Sequence, residues 1–264
     1  MQKFNYHTHT KRCGHASNME DEEYILEFIS KGFNEIAFTD HCPYRDIIDT
    51  RKNMRMNYSN KDEYLNSIRS LKIKYKDKIN IKIGFEVEYL PDQVDYLLEL
   101  KNETDILVLG QHFIYDETKK LKIFRYDNFS DNDLIKYANY IEKAIKNNIP
   151  DIIVHPDLFM LNRTKFGLNE EKATRIICKS ASENNIPLEI NLTEACLFLR
   201  GDKDNISYLC KDFWRIASTY NLRVLYGIDA HFRSQIELYE KSVELVNNII
   251  VKDIIDKLNF VDNL

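Results

Sequence analysis

The sequence predicts an α/β protein in which short parallel strands alternate with helices and close, or nearly close, into a barrel. Three observations predict it. Seven short apolar runs of strand length alternate with longer stretches of helix length, the pattern of parallel β-then-α units. Nearly every run ends in a histidine, aspartate or glutamate. In an open sheet such residues would gather at one switch point, whereas in a barrel all carboxyl ends meet on one face, where active sites sit. Finally, no linker or low-complexity stretch interrupts the 264 residues, a length that suits a single domain over 1–264 with a large core.

The first strand covers about residues 3–9 and carries Phe4-Asn5-Tyr6-His7-Thr8-His9. In an extended strand residues i and i+2 share a face, so His7 and His9 present two imidazoles side by side. Such a pair of nitrogen donors suits zinc, iron, manganese or cobalt. A polar loop with Cys13 and His15 follows. The helix at about 20–31 opens on Glu20-Asp21-Glu22-Glu23, acid placed where the helix dipole favours it, and Gly32 closes it. The second strand, Glu35–Thr39, ends in Asp40-His41. The polar segment 42–60, with Arg45, Arg51 and Arg55, is long for a connection and reads as a lid or binding loop.

A helix at about 61–77 leads to the third strand, Ile81–Phe85, which ends in Glu86-Val87-Glu88. There Glu86 is the candidate for the mouth and Glu88 could face solvent. A short helix at about 92–101 precedes the fourth strand, Ile106–Leu109, ending in Gly110-Gln111-His112. A loop over 113–128 and a helix at about 130–147 lead to the fifth strand, Ile152–Val154, ending in His155-Pro156-Asp157. A loop with Arg163 and a helix at about 169–184 follow; then comes the sixth strand, Leu188–Asn191, whose loop carries Glu194 and Arg200. After a helix at about 205–220, the seventh strand, Arg223–Gly227, ends in Ile228-Asp229-Ala230-His231, and a helical region fills about 234–258.

Composition sets the class. With 44% hydrophobic and 30% charged residues the chain reads as an ordinary soluble globular protein. A net charge of −5 argues against a nucleic-acid partner, which would call for a basic face. No apolar run reaches transmembrane length, so no membrane is expected. Met1-Gln2-Lys3-Phe4 enters a strand directly, without a signal-peptide pattern. Five scattered cysteines suit a reduced, cytoplasmic protein. Association into a homo-oligomer is compatible with all of this.

The strand ends together offer His7, His9, His15, Asp40, His41, Glu86 or Glu88, His112, His155, Asp229 and His231. A single catalytic zinc takes about three protein ligands, so this set fits two or three ions. Singly, His15 could be an exposed loop residue, His41 and His112 could be capping or core histidines, and Asp157 could cap a helix. Cys13 and Cys42 are read as buried fillers. Jointly, all seven histidines fall at strand ends or in the loops just after them.

His7-Thr8-His9, His15, Asp40-His41, Gly84-Phe85-Glu86, His112, His155 and Gly227-Ile228-Asp229-Ala230-His231 resemble the PHP (polymerase and histidinol phosphatase) family, in its free-standing histidinol-phosphatase branch. The resemblance runs from residue 7 to residue 231 and implies a distorted (β/α)7 barrel with a trinuclear centre of Zn, Mn or Fe. It implies one ion on His7, His9, Glu86 and Asp229, a second on Glu86, His112 and His155, and a third on His15, His41 and His231, with Asp40 orienting a ligand. The segments His155-Pro156-Asp157-Leu158-Phe159 and Leu192-Thr193-Glu194-Ala195-Cys196 depart from the best-known members.

The resulting expectation is a metal-dependent phosphomonoesterase acting on L-histidinol phosphate in histidine biosynthesis. A hydroxide shared between ions, its water's pKa lowered from about 15.7 towards 7, would attack phosphorus. Glu86, Asp229 and His231 are the catalytic candidates, with Asp229 or His231 protonating the leaving alkoxide. Arg163 and Arg200 are expected to clamp the phosphate through paired hydrogen bonds, and Glu194 to face the substrate's ammonium. The alternatives are another small phosphomonoester or phosphodiester, an amidohydrolase-type C–N hydrolase, or a metal-stabilised binding domain. The second lacks its usual lysine on the fourth strand, which reads Leu107-Val108-Leu109.

Overall fold

The computed structural model describes residues 1–46, 54–124 and 127–264. Among these, one parallel eight-stranded sheet forms the centre. Its strands, in spatial order, are β1 (Phe4–Asn5), β2 (Glu35–His41), β3 (Asn80–Val87), β4 (Ile106–Leu109), β7 (Ile152–Ile153), β8 (Leu188–Asn191), β9 (Arg223–Gly227) and β10 (Asn259–Phe260). The sheet curls until its ends meet. Thr8 bridges Ala230 in parallel, His9 N–H donates to the Ala230 carbonyl at 2.9 Å, and Ala230 N–H donates to the His7 carbonyl at 3.1 Å. At the opposite end β10 pairs with β9, while the Leu264 N–H donates to Tyr6 Oη. The expected barrel is therefore present, with a two-residue eighth strand that the sequence did not announce.

Helices pack outside. They are α1 (Asp21–Ser30), α2 (Lys61–Tyr75), α3 (Val94–Glu103), α4 (Asp131–Lys146), α5 (Leu168–Glu183), α6 (Thr193–Arg200), α7 (Lys211–Ala217), α8 (Arg233–Glu237), α9 (Tyr239–Ile250) and α10 (Lys252–Ile255). The longest show why they form. In α4, Leu134, Tyr137, Ala138, Ile141, Ala144 and Ile145 recur at helical spacing and are buried, while Ser130 and Asp133 cap the first turn reciprocally. The core has two parts. Phe4, Tyr6, Ala37, Ile106, Val108, Ile152, Val154 and Leu225 fill the barrel interior, and a larger cluster joins the strands' outer faces to the helices. Strands covered on both faces read as continuous apolar runs, which is why they were visible.

Two connections differ from expectation. The stretch read as a loop over 113–128 holds a hairpin of β5 (Phe113–Tyr115) and β6 (Leu121–Ile123). The loop carrying Glu194 and Arg200 is the helix α6, whose C-terminal Gly201 adopts φ 78°. Residues 47–53 of the segment read as a lid lie outside the described residues. No described helix is long and apolar enough to cross a membrane.

Candidate metal centre

The carboxyl ends of the strands converge on Glu86, at the end of β3, which is fully buried. Its two oxygens face five imidazoles. Oε1 lies 2.8 Å from His155 Nε2, 3.4 Å from His112 Nε2 and 3.6 Å from His7 Nε2. Oε2 lies 2.8 Å from His41 Nδ1 and 3.5 Å from His9 Nε2. Asp229 completes the floor: its Oδ1 is 3.1 Å from His9 Nε2, 3.3 Å from His231 Nδ1 and 3.4 Å from His7 Nε2. His231 Nε2 and His15 Nε2 are 3.0 Å apart. All nine residues expected as ligands thus meet in one place.

Local backbone features make this possible. Phe4 and Tyr6 point into the barrel, yet so do His7 and His9, so the two-residue alternation slips by one between Tyr6 and His7. Asn5 braces the slip: its amide donates to the His7 carbonyl and Thr8 Oγ1, and its oxygen accepts Ile228 N–H, each at 2.9 Å. A side chain at Gly110 would put Cβ 1.8 Å from Glu86 Oε1, so only glycine leaves room for the central carboxylate. Gly227 likewise makes room for Glu189. His155 (φ 32°) and Asp229 (φ 51°) sit in the left-handed region without being glycine, a strain of about 1–3 kcal/mol each that tends to collect at functional sites.

Residues behind the floor aim these side chains. His7 Nδ1 donates to Glu189 at 2.8 Å, and Asn191 Nδ2 holds the other Glu189 oxygen at 2.6 Å. Asp229 Oδ2 is held by Thr193 Oγ1 at 3.1 Å and Asn191 Nδ2 at 3.3 Å. Gln235 fastens the turn beyond, accepting His231 N–H and donating to the Asp229 carbonyl. Asp40 Oδ1 lies 3.7 Å from His9 Nδ1, and Thr10 and the His41 N–H donate to the same carboxylate. Sequence reasoning missed Asn5, Asn191, Thr193 and Gln235 and left Glu189 without a role. The signal for Glu189 existed: a carboxylate inside an apolar strand is seldom buried without a partner.

The electrostatics fit a cation site. Burial raises the cost of charge on Glu86 and Asp229, but the surrounding imidazoles hold both carboxyls well below the usual range. Burial pulls His9 down, yet Asp229, Asp40 and Glu86 outweigh it and raise it to about 9. His7 is raised in the same way, by Asp229, Glu189 and Glu86. His41, where burial prevails and His9 and His112 add repulsion, falls well below its ordinary value. Seven buried atoms of the floor make no aligned hydrogen bond, although some stand close to one another: His7 Nε2, His9 Nδ1 and Nε2, His41 Nδ1, Glu86 Oε2, His155 Nδ1 and Asp229 Oδ1. Each such orphan costs about 1–3 kcal/mol unless something satisfies it.

Divalent ions fit. Two ligands bound tetrahedrally at 2.0–2.1 Å stand about 3.3 Å apart, and the separations across the floor bracket that value. Donor atoms of His7, Glu86 and His155, of His7, His9 and Asp229, of His9, His41 and His231, and of Cys13, His15 and His231 each fall within 4.8 Å of one another. These groups overlap the three expected ligand sets without reproducing their partition. Cys13 is a neutral thiol, pushed by burial up to about 12.

The profile of the PHP domain matches residues 5–193. The chain belongs to the PHP domain family. A histidinol-phosphatase of Bacillus subtilis is 30% identical over 149 residues, 54% of this chain and 55% of that protein. A probable histidinol-phosphatase of Schizosaccharomyces pombe is 36% identical over 118 residues, 41% of this chain and 38% of that protein. The match therefore spans about half or less of these curated relatives. Among solved structures, histidinol phosphate phosphatase of Lactococcus lactis, complexed with Zn, L-histidinol and phosphate, superposes with TM-score 0.65 at 20% identity, covering 93% of this chain and 94% of that one. At that identity the likeness is one of fold.

Above the floor of this PHP barrel opens a cavity of about 360 Å³. His15, His41, Glu86, His112, His155, Asp229 and His231 border it on one side; Met54, Ile123, Phe124, Leu158, Leu161, Leu197 and Phe232 form apolar walls. No arginine or lysine lines it among the described residues. Arg163 is a correction to the expected phosphate clamp. Its guanidinium lies 2.8 Å from both Asp131 and Glu170, carboxylates at the starts of α4 and α5, and these hold it off the cavity. Arg200 sits on the rim, donating to Ser234 and Asp202 and lying over the Phe232 ring. Glu194 does border the cavity, but it pairs with Lys203 and accepts Ser207 N–H at 2.8 Å.

Proposed function

We propose that this chain is a metal-dependent phosphomonoesterase of the cytoplasm, acting as one unit over 1–264, with L-histidinol phosphate as its substrate. The observation that carries the reading is the set of unpartnered imidazole and carboxylate atoms gathered on the floor of one cavity. His7, His9, His15, His41, Glu86, His112, His155, Asp229 and His231 would hold two or three ions. Such ions, when bound, supply Lewis acidity: they offset phosphoryl charge and make water a competent nucleophile near neutral pH.

The chain's own residues do the rest. Asn191, Thr193 and Gln235 fix Asp229. His231 borders the cavity with Nδ1 donating to the Asp229 carbonyl, so its Nε2 faces the floor. His231 is the group we assign to hand a proton to the leaving alkoxide; Asp229, whose carboxyl the surrounding imidazoles hold well below the usual range, would stay ionised. The apolar walls exclude water and seat the organic part of the ester. Glu194 is the carboxylate available to the substrate's ammonium, sharing it with Lys203. Phosphate charge would be offset by such ions, since among the described residues none that lines the cavity is a guanidinium or an ammonium. The named relatives, which include a structure holding Zn, L-histidinol and phosphate, support this choice of ester.

The test is phosphate release from L-histidinol phosphate and from a panel of phosphomonoesters and phosphodiesters after loading with Zn, Mn or Fe. A kcat/KM for histidinol phosphate of roughly 10⁴–10⁸ M⁻¹s⁻¹, well above the panel, is expected and would place the protein in histidine biosynthesis. Activity confined to another ester would replace the substrate and keep the chemistry. Loaded protein inactive on every phosphoester would overturn the reading.

A further inference from the structure

Arg55 belongs to the segment between β2 and α2, and its guanidinium lies between two rings, 5.3 Å from the centroids of Tyr44 and Phe113. From there it grips Glu88, which is wholly buried, Nη2 to Oε1 at 3.0 Å and Nη1 to Oε2 at 3.1 Å. Tyr44 Oη lies 3.1 Å from the same Oε2. The remaining acceptor position on Oε1 takes the Nδ1–H of His112 at 3.0 Å. With Nδ1 so occupied, His112 keeps its Nε2 lone pair towards Glu86 Oε1, 3.4 Å away.

Resting on the proposed metal chemistry, we infer that Arg55 and Glu88 are positioning residues for that reaction, a buried ion pair that fixes the tautomer and angle of His112. Stability alone is a poor reason for the pair: desolvating two charges costs about as much as their attraction returns, and apolar residues of similar volume often serve as well or better. A carboxylate held by both prongs of a guanidinium, with a further acceptor position taken by a cavity-lining imidazole, is what orientation requires. His7 has a counterpart on the other side of the floor, where Glu189 is steadied by the neutral Asn191. On the His112 side a cation does that work, so the relay adds no net charge beside the site. The neighbouring Met54 lines the cavity, so the same anchor sets the wall and the ligand.

The experiment compares wild type with Arg55→Met, Arg55→Lys, Glu88→Gln and the exposed control Lys257→Met. Zinc affinity is read by competition with a chelator, and the tautomer of His112 by ¹⁵N NMR of the metal-free protein. Wild type should show His112 protonated at Nδ1. Arg55→Met and Glu88→Gln should weaken zinc about 10–100-fold, as outer partners of metal ligands do, lower kcat with KM held, and mix the two tautomers. Arg55→Lys, which keeps charge and loses the fork, should fall between. Zinc affinity and tautomer unchanged in Arg55→Met and Glu88→Gln would overturn the inference, even if melting temperature dropped. Wild type that binds no zinc would overturn the proposed function instead, while the metal-free tautomer would still decide this point.

Discussion

The floor of the cavity and its rim were built by different means. Every floor residue expected as a ligand, His15 excepted, sits on a strand or within a few residues of its end. Its direction follows from pleat and register, which a sequence carries openly. Rim residues sit on α6, on β6 and on the stretch after β7, and their directions depend on partners elsewhere in the chain. Arg163 shows the consequence: the carboxylates that hold it, Asp131 and Glu170, begin two different helices, and one lies 32 residues away. Position after a strand end was enough to find the residues that meet on the floor and not enough to aim Arg163 into the cavity.

The sharpest way to break this contrast is one substitution made in both places. Gly110→Ala would drive Cβ into Glu86 Oε1 and within 2.8 Å of His155 Cε1. The central carboxylate must move, and a displacement near 1 Å is worth roughly 10²-fold or more in kcat/KM. Gly201→Ala, on the rim, meets nothing within 4 Å but keeps φ at +78°, so it should cost about 1 kcal/mol of stability and leave kcat/KM alone. Thermal melts and phosphatase kinetics on both variants check this; equal kinetic losses would mean that the floor is no more tightly determined than the rim.

The same reasoning says what was legible. The barrel, seven of its strands, its main helices and the nine residues that gather on the floor could be read, because buried parallel strands are apolar runs and their ends are polar. The slip between Tyr6 and His7 could not: alternation holds through Phe4 and Tyr6, and Asn5 bonding to both the stretch after β1 and the turn after β9 reveals the extra residue. Nor could the eighth strand, two residues long with both exposed, carry a hydrophobic pattern. Arg55 and Glu88 were each visible, but nothing in the spacing of 33 residues joins them.

Removing metal should expose the floor's charge as a pH effect. His9 is raised to about 9, and His7 and His155 are raised as well, against burial, by the carboxylates around them. A raised histidine stabilises the fold fully below its unfolded value, about 6.5, and loses that contribution as pH climbs through its folded value. His41, lowered by burial, acts oppositely and costs stability as pH falls below about 6.5. Three raised groups outweigh one, so the melting temperature of metal-free protein should fall between pH 6.5 and 9. Glu86 and Asp229, both lowered, add stability above about pH 4.5 that is lost on acidification. Zinc needs the imidazoles unprotonated, so loading should remove the alkaline loss and raise the melting temperature most near pH 9. A metal-free melt flat over that range would mean that the imidazoles are neutral without metal.

The smallest effects separate the two rim arginines. Arg163 is largely buried against Glu170, so Arg163→Met should cost about 2 kcal/mol of stability, as lost hydrogen bonds to charged partners do, with KM unchanged. Arg200 meets the cavity wall at Phe232, whose ring it covers at 5.5 Å. Arg200→Met should therefore leave stability nearly intact and raise KM several-fold, more than Lys257→Met does, by loosening an apolar wall rather than by losing a phosphate contact. The two causes are distinguishable. A wall defect weakens binding of L-histidinol and of its phosphate ester alike, whereas a lost clamp weakens only the ester and inorganic phosphate. If Arg163→Met proves the stronger KM variant, substrate must draw that guanidinium away from Asp131 and Glu170, and the rim is then organised by the ligand rather than by the helices that hold it here.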